Sequence, residues 1–551
     1  MHYVATAFAA KRASKMAAAS FFIAAMLCLP AVAAAAALTS ADLVVSVRSG
    51  KLQGTEVGAV RAFLGVPYAA APTGKLRWAK PVSVAPWDGV RPATKFASQC
   101  PSLGWGSPRT AVGNEDCLYL NIYVPKGTER PRPVAVWFHG GGYTGGASQD
   151  VDPSVFAAKA DVVVVTVNYR LGALGFASLP ELDAESPTKS SGNYALMDQQ
   201  EALRWVQQNI KTFGGDPHRV TAIGESAGAF SIWVHIVSPH ARGLFQRAIV
   251  MSGTNPSLAD GTPMVERSVE EARGPSLKLA AEFGCDRGPA LLECLRAVPA
   301  EKLVTAVGAA KGWVGWTIIL DGYVLPEQPR ALRERGDAAR IPILSGNDEN
   351  EAAFFFMTRS TGRTEEDYRK ALLSAPFGEE ILAAYPLLRN GSADLTLTAA
   401  ASDQWACGAK KINTIFGHLT TVYAYEFADT AAPPTLFDFP GAPVGALHTA
   451  EIPYVFQTSY PAEIHSAPPA FSTLQQALSD RMLKAWSNFI WGRPPAPDWP
   501  LFNSAGETMI LRPEGDGKLT TAEFSRKHNC AFWDSIPYGL WLVDTADLAR
   551  H

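Results

Sequence analysis

Cysteine is scarce in this chain, with seven in 551 residues, and no two stand in the Cys-x-x-Cys spacing of a zinc or redox site. No metal and no cofactor is therefore expected. An excess of either charge is also missing: 49 Lys and Arg face 52 Asp and Glu, for a formal net charge of -3. That balance gives no reason to expect nucleic acid as a partner. Low-complexity linkers and internal repeats are absent too, which excludes solenoid and collagen-like architectures. A hydrophobic share of 47% excludes a disordered chain and suits a large buried core.

Long apolar runs are confined to the first 37 residues. There Lys11, Arg12 and Lys15 precede an apolar stretch from Ala17 to Leu29, followed by a small-residue zone from Ala31 to Ala37. This reads as a cleaved signal peptide, residues 1–37, and an exported protein, periplasmic or secreted. An uncleaved anchor is the competing reading, but the apolar stretch is shorter than the ~20 residues of a spanning helix. Loss of the three basic residues would take the formal charge from -3 to -6. Cys28 leaves with the leader, and six cysteines remain, an even number suited to an oxidising compartment. Spacing suggests Cys100 with Cys117 and Cys285 with Cys294, which leaves Cys407 for Cys530; six cysteines allow fifteen pairings, so this is a preference.

Apolar segments at Pro133 to Phe138, Val162 to Val167, Val220 to Ile223, Ala248 to Met251, Ile341 to Leu344 and Val422 to Phe427 alternate with helical ones. Such alternation predicts an α/β fold with a mostly parallel sheet flanked by helices. The helix expected over Asp198 to Phe213 places Leu203, Val206 and Ile210 on one face before Gly214-Gly215 ends it. Residues 38–551 are read as one domain with insertions, among them a long Pro/Gly-rich loop from Ala431 to Gly445.

In such a sheet, active-site residues lie just beyond the carboxyl ends of the strands. Beyond Val220 to Ile223 stands Gly224-Glu225-Ser226-Ala227-Gly228. A serine on a sharp strand-to-helix turn needs small neighbours two residues away, and its hydroxyl then projects into the open. Ser226 is the candidate nucleophile. Beyond Phe138 comes His139-Gly140-Gly141-Gly142-Tyr143, a run whose backbone N–H groups can approach a ligand. Alone it could be a flexible turn; beside a serine elbow it reads as an oxyanion hole, an effect worth about 3 to 4 kcal/mol per donor. A serine needs a base, and the base an acid. Asp348, Glu349 and Glu351 share one loop after Ile341 to Leu344, and at least two of them are expected to be ordinary solvated charges. His418, His448, His465, His528 and His551 are the histidines downstream of that loop, and His448 closes the long loop.

The chain resembles the type-B carboxylesterases, the family of para-nitrobenzyl esterases, carboxylesterases and cholinesterases. The resemblance runs from about residue 44 to the C-terminus. It is carried by Phe63-Leu64-Gly65-Val66-Pro67-Tyr68 with Leu76-Arg77-Trp78, by Glu115-Asp116-Cys117-Leu118-Tyr119-Leu120-Asn121, by Asn168-Tyr169-Arg170, by Phe213-Gly214-Gly215-Asp216-Pro217, and by the elbow. It implies an α/β-hydrolase fold, a Ser226, Glu351, His448 triad, and oxyanion donors at Gly141, Gly142 and Ala227. The family's disulfides agree with the three pairings above. Arg77 with Glu115, and Arg170 with Asp198, are implied as buried scaffold pairs, and Asp348 and Glu349 as surface or scaffold charges.

Glu225 has two readings: a carboxylate favourably placed at a helix start, or an auxiliary that stabilises protonated His448. The loop from Cys100 to Cys117 is short and its single tryptophan, Trp105, comes early, so a choline cage is unsupported. Trp105, Tyr143, Phe354 and Trp405 are candidates for the wall of the gorge, with the core as the ordinary alternative. A small-molecule ester is the expected partner. The rival readings are a catalytically silent binding module, and a lipase or amidase with the same triad.

Overall fold

The computed structural model describes residues 43–537, apart from 106–109, 128–129, 255, 259–265, 286–287, 289, 312–314, 358–361, 388–391, 437–444, 462–468 and 503–505. The expected leader, the central part of the long loop, His465 and His551 lie outside the described residues.

Strand-forming residues account for the centre of the molecule. Val134, Val136 and Phe138 face one hydrophobic core and Ala135 and Trp137 the other, as do Val163, Val165 and Val167 against Val162 and Val164. This is the two-residue alternation of a strand covered on both faces. An eleven-stranded sheet results, in the order Gly517–Thr520, Glu507–Leu511, Val422–Phe427, Ile343–Asp348, Arg247–Met251, Gly215–Glu225, Arg132–Phe138, Val163–Val167, Tyr119–Pro125, Val60–Pro67, Thr55–Val57. From Glu507–Leu511 across to Val163–Val167 every neighbour runs parallel; both flanks are antiparallel. The sheet is thus mixed and mostly parallel, as expected for an α/β-hydrolase.

The chain leaves Arg132–Phe138 toward one edge through Val163–Val167, then returns to its other side with Gly215–Glu225. Strand order reverses there, and it is at the carboxyl ends of strands flanking such a reversal that open α/β sheets place their ligands. His139 to Gly142 and Ser226 follow those two ends directly.

Each sequence-read strand is found: Val422–Phe427 matches at both ends, the strands ending at Phe138, Val167 and Met251 match at the carboxyl end, and the others shift. Val220 to Ile223 is the inner part of Gly215–Glu225, whose pairing slips between Gly215 and Val220. The expected helix starts earlier, spanning Tyr194–Asn209, and Ile210–Phe213 closes it as a 3-10 turn before left-handed Gly214. All three disulfides are present: Cys100–Cys117, Cys285–Cys294 and Cys407–Cys530. Both scaffold ion pairs are found, Arg170 to Asp198 at 2.7 Å fully buried and Arg77 to Glu115 at 2.6 Å.

Candidate active site

Ser226 occupies a backbone conformation few side chains tolerate, with φ 53° and ψ -120°. Its neighbours explain how it is held there. A Cβ on Gly224 would lie 2.5 Å from the Gly228 carbonyl carbon, and one on Gly228 would lie 2.1 Å from the Phe138 oxygen. Only glycine at both positions lets strand, turn and helix close. The helix Ala227–Val237 starts immediately afterwards, so Ala227 has no intrahelical acceptor for its N–H. Gly141 and Gly142 both take positive φ, 99° and 58°, and no acceptor among the described residues takes their N–H groups. The loop is fixed from behind: Tyr169 donates to the His139 oxygen at 2.5 Å and stacks on its ring at 4.2 Å. Burial pushes His139 down to about 4, so the ring is neutral and acts as a packing element.

Glu351 and His448 are 97 residues apart in sequence, yet Glu351 Oε2 lies 2.5 Å from His448 Nδ1. A short parallel bridge between Asn350 and Leu447 joins their two loops, with the Asn350 N–H donating to the Ala446 oxygen at 2.8 Å. Glu351 Oε1 accepts the Asp348 N–H at 2.8 Å, which fixes the carboxylate plane. The far nitrogen of the ring, Nε2, lies 3.2 Å from Glu225 Oε1, within ion-pair range. Among the described hydrogen bonds none joins Ser226 Oγ to the ring. Burial opposes a charged imidazole, but Glu225 and Glu351 outweigh it and lift His448 to about 9. Phe354, Phe355 and Trp405 stand 5.4 to 5.6 Å from the imidazole and shield it from water.

Several sequence expectations change. Glu225 ends a strand and does not open the helix, and its carboxylate sits at the histidine. Asp348, expected as a surface or scaffold charge, is fully buried, because it is the last residue of Ile343–Asp348 and points under the His448 loop. Glu349 is a scaffold charge, 2.6 Å from Lys527. His528 is held by Asp403 and Glu426, away from the elbow. Tyr143 is core, its hydroxyl 3.1 Å from Ser231 Oγ. Trp105 reaches Asp150 at 3.4 Å. Sequence reasoning gives neither Glu451, part of the run that follows His448, nor Ser252 a role of its own; both are buried beside the loop of His448, and Ser252 Oγ donates to Glu451 Oε1 at 2.8 Å. The signal for Glu451 was its place three residues after the histidine; Ser252, at a strand end with φ 51°, had no motif around it. Among the described residues no cluster of His, Cys, Asp and Glu could hold a metal, and no helix is long and apolar enough to cross a membrane.

Known proteins resemble the chain over most of its length. The chain is 36% identical to the fumonisin B1 esterase of Sphingopyxis macrogoltabida, over 88% of this chain and 89% of that one. It is 30% identical to the acetylcholinesterase of Bungarus fasciatus, over 92% and 89%. Among solved structures, a PNB esterase matches with a TM-score of 0.73 at 30% identity, covering 88% of this chain and 99% of that one. A thermophilic PNB esterase matches with a TM-score of 0.74 at 29% identity and the same coverage. Residues 41–533 fit the model of the carboxylesterase family, and with the serine elbow at a reversal of an α/β-hydrolase sheet the chain belongs to that family as a carboxylic ester hydrolase.

Proposed function

We propose that the protein hydrolyses small-molecule carboxylic esters through an acyl-enzyme on Ser226. Ser226 Oγ attacks the ester carbonyl carbon while its proton passes to His448 Nε2, and the carbonyl oxygen becomes an oxyanion. The N–H groups of Gly141, Gly142 and Ala227 receive that oxyanion. Collapse of the tetrahedral species breaks the C–O bond, and His448 returns the proton to the leaving alcohol. Water then attacks the acyl carbon by the same route, releasing the acid and restoring Ser226. Glu351 holds the ring through Nδ1 and balances its transient charge; Glu225 stands on the opposite nitrogen.

The observation that carries this reading is the 2.5 Å contact of Glu351 with His448 beside a serine held at positive φ. Retention of both serine and histidine argues against a silent binding module. The relative named as a fumonisin B1 esterase supports ester cleavage in a small molecule as the class of reaction. The leader-like N-terminus and three disulfides support export to an oxidising compartment. Treatment with a fluorophosphonate probe followed by peptide mass mapping is expected to place the adduct on Ser226 alone. Labelling at another serine, or none in active protein, would refute the assignment.

A further inference from the structure

Four carboxyl groups, Glu225, Asp348, Glu351 and Glu451, are fully buried around one imidazole. Their hydrogen bonds are unequal. Glu351 uses both oxygens, on the Asp348 N–H and on His448. Asp348 Oδ2 accepts the Ala450 N–H at 3.2 Å, and Glu451 Oε1 accepts from Ser252 Oγ. Four oxygens remain, both of Glu225 with Asp348 Oδ1 and Glu451 Oε2, all buried and without a hydrogen bond from any described residue; those of Glu225 face the imidazole, with Oε1 3.2 Å from His448 Nε2, whereas Asp348 Oδ1 and Glu451 Oε2 have no cation beside them. The two side chains are neighbours, because Asp348 Oδ2 is anchored on the N–H of Ala450, the residue directly before Glu451. Two carboxylates cannot bond to each other without a proton, and two buried acceptors left facing one another would each bear a full desolvation cost.

We propose that Asp348 and Glu451 share one proton, carried on Asp348 Oδ1 and donated to Glu451 Oε2, and that this single negative charge of the pair sets the basicity of His448. The proposal rests on the reading of His448 as the base. Its logic is electrostatic. Each ionised carboxylate beside the ring favours the imidazolium, and His448 already stands at about 9, so a further charge from Asp348 would raise still more the pH at which the ring becomes free to take the Ser226 proton. A proton held between Asp348 and Glu451 removes one of those charges and leaves a neutral donor clamping the turn after His448 through Ala450. Burial, and then the charge of Glu451, push the Asp348 carboxyl well up, in the same direction. The other titratable groups facing the pair are Glu225, Glu351 and His448 together with the Tyr425 and Tyr460 phenols, both held neutral by burial. Asp348 and Glu451 are positioning residues: neither contacts the ester.

The test is a count of charge through the pH profile of kcat/KM. Asp348→Asn and Glu451→Gln each replace one carboxyl by an isosteric amide that donates to the other, so each leaves one negative charge in the pair. Each single variant is expected to keep the wild-type acid limb. The double variant removes the last charge, lowers the basicity of His448, and is expected to move the acid limb down by about one pH unit. Downward shifts from both single variants that add in the double one would show two ionised carboxylates and overturn the proposal; so would a double variant whose limb does not move. Melting temperatures report folding, and the two single variants test the same count independently. Ser226→Ala and His448→Ala serve as the second arm. Activity persisting in those would overturn the triad reading, whereas their inactivity alongside additive amide shifts would overturn the shared proton alone.

Discussion

Glu349 and Glu351 stand two positions apart on one loop and have opposite surroundings, since one side chain reaches Lys527 and the other reaches His448. Glu351→Gln is expected to lower turnover by roughly 10³- to 10⁴-fold with the fold intact, because an amide at Nδ1 holds the ring in the wrong tautomer. Glu349→Gln is expected to stay within a few-fold of wild type. Steady-state kinetics with circular dichroism checks both; a crippled Glu349→Gln beside a near-normal Glu351→Gln would move the acid to Glu349. At this scale the sequence was informative wherever backbone demands are local. Ser226 and its two glycines announce themselves because a strained turn admits few residues. Asp348 did not, because burial is a property of the surrounding fold. Three acidic residues within four positions look alike until strand end, loop bridge and Lys527 sort them.

Between elements, the long disulfide is the clearest case. Cys407 lies in the helix Ala393–Gly417 and Cys530 opens the short helix Cys530–Trp533, a sequence separation of 123. Closing a loop of that length is worth on the order of 4 to 5 kcal/mol in the chain-entropy description. Cys407→Ser and Cys530→Ser are expected to lose similar stability, with the double variant no worse than either, as measured by denaturant unfolding; additive losses would contradict a bond between them. Strand identities and several carboxyl ends were readable from apolar runs, but most amino ends were not. Gly215 to Val220 joins its strand through an irregular pairing that no alternation encodes. The helix Tyr194–Asn209 begins before Asp198, which lies buried within it and pairs with Arg170, a distant partner that local sequence does not show.

Across the whole molecule, a second buried imidazole raised above its ordinary value is found apart from the elbow. His528 is 2.8 Å from Asp403 and 2.5 Å from Glu426, which also receives Lys527. Burial opposes its charge, yet Asp403 and Glu426 lift it to about 9. A folded value above the ordinary 6.5 means stability that is fully present below pH 6.5 and lost as pH climbs through about 9. The contribution is on the order of 3 kcal/mol, given the 1.36 kcal/mol carried by each pH unit. His528→Asn is expected to lower the melting temperature at neutral pH and to flatten its decline toward alkaline pH, leaving the part due to His448. A variant as steep as wild type would exclude the cluster as the source. The order of assembly has one more consequence, for the chain while it is being made. Phe138, Ser226, Glu351 and His448 end or follow four separate strands or loops, and the strand Glu507–Leu511 and the helix bearing Cys530 come later still. On the proposed mechanism, a growing polypeptide carries Ser226 for more than two hundred residues of synthesis before His448 exists to arm it, so the half-made protein is chemically silent toward the esters around it.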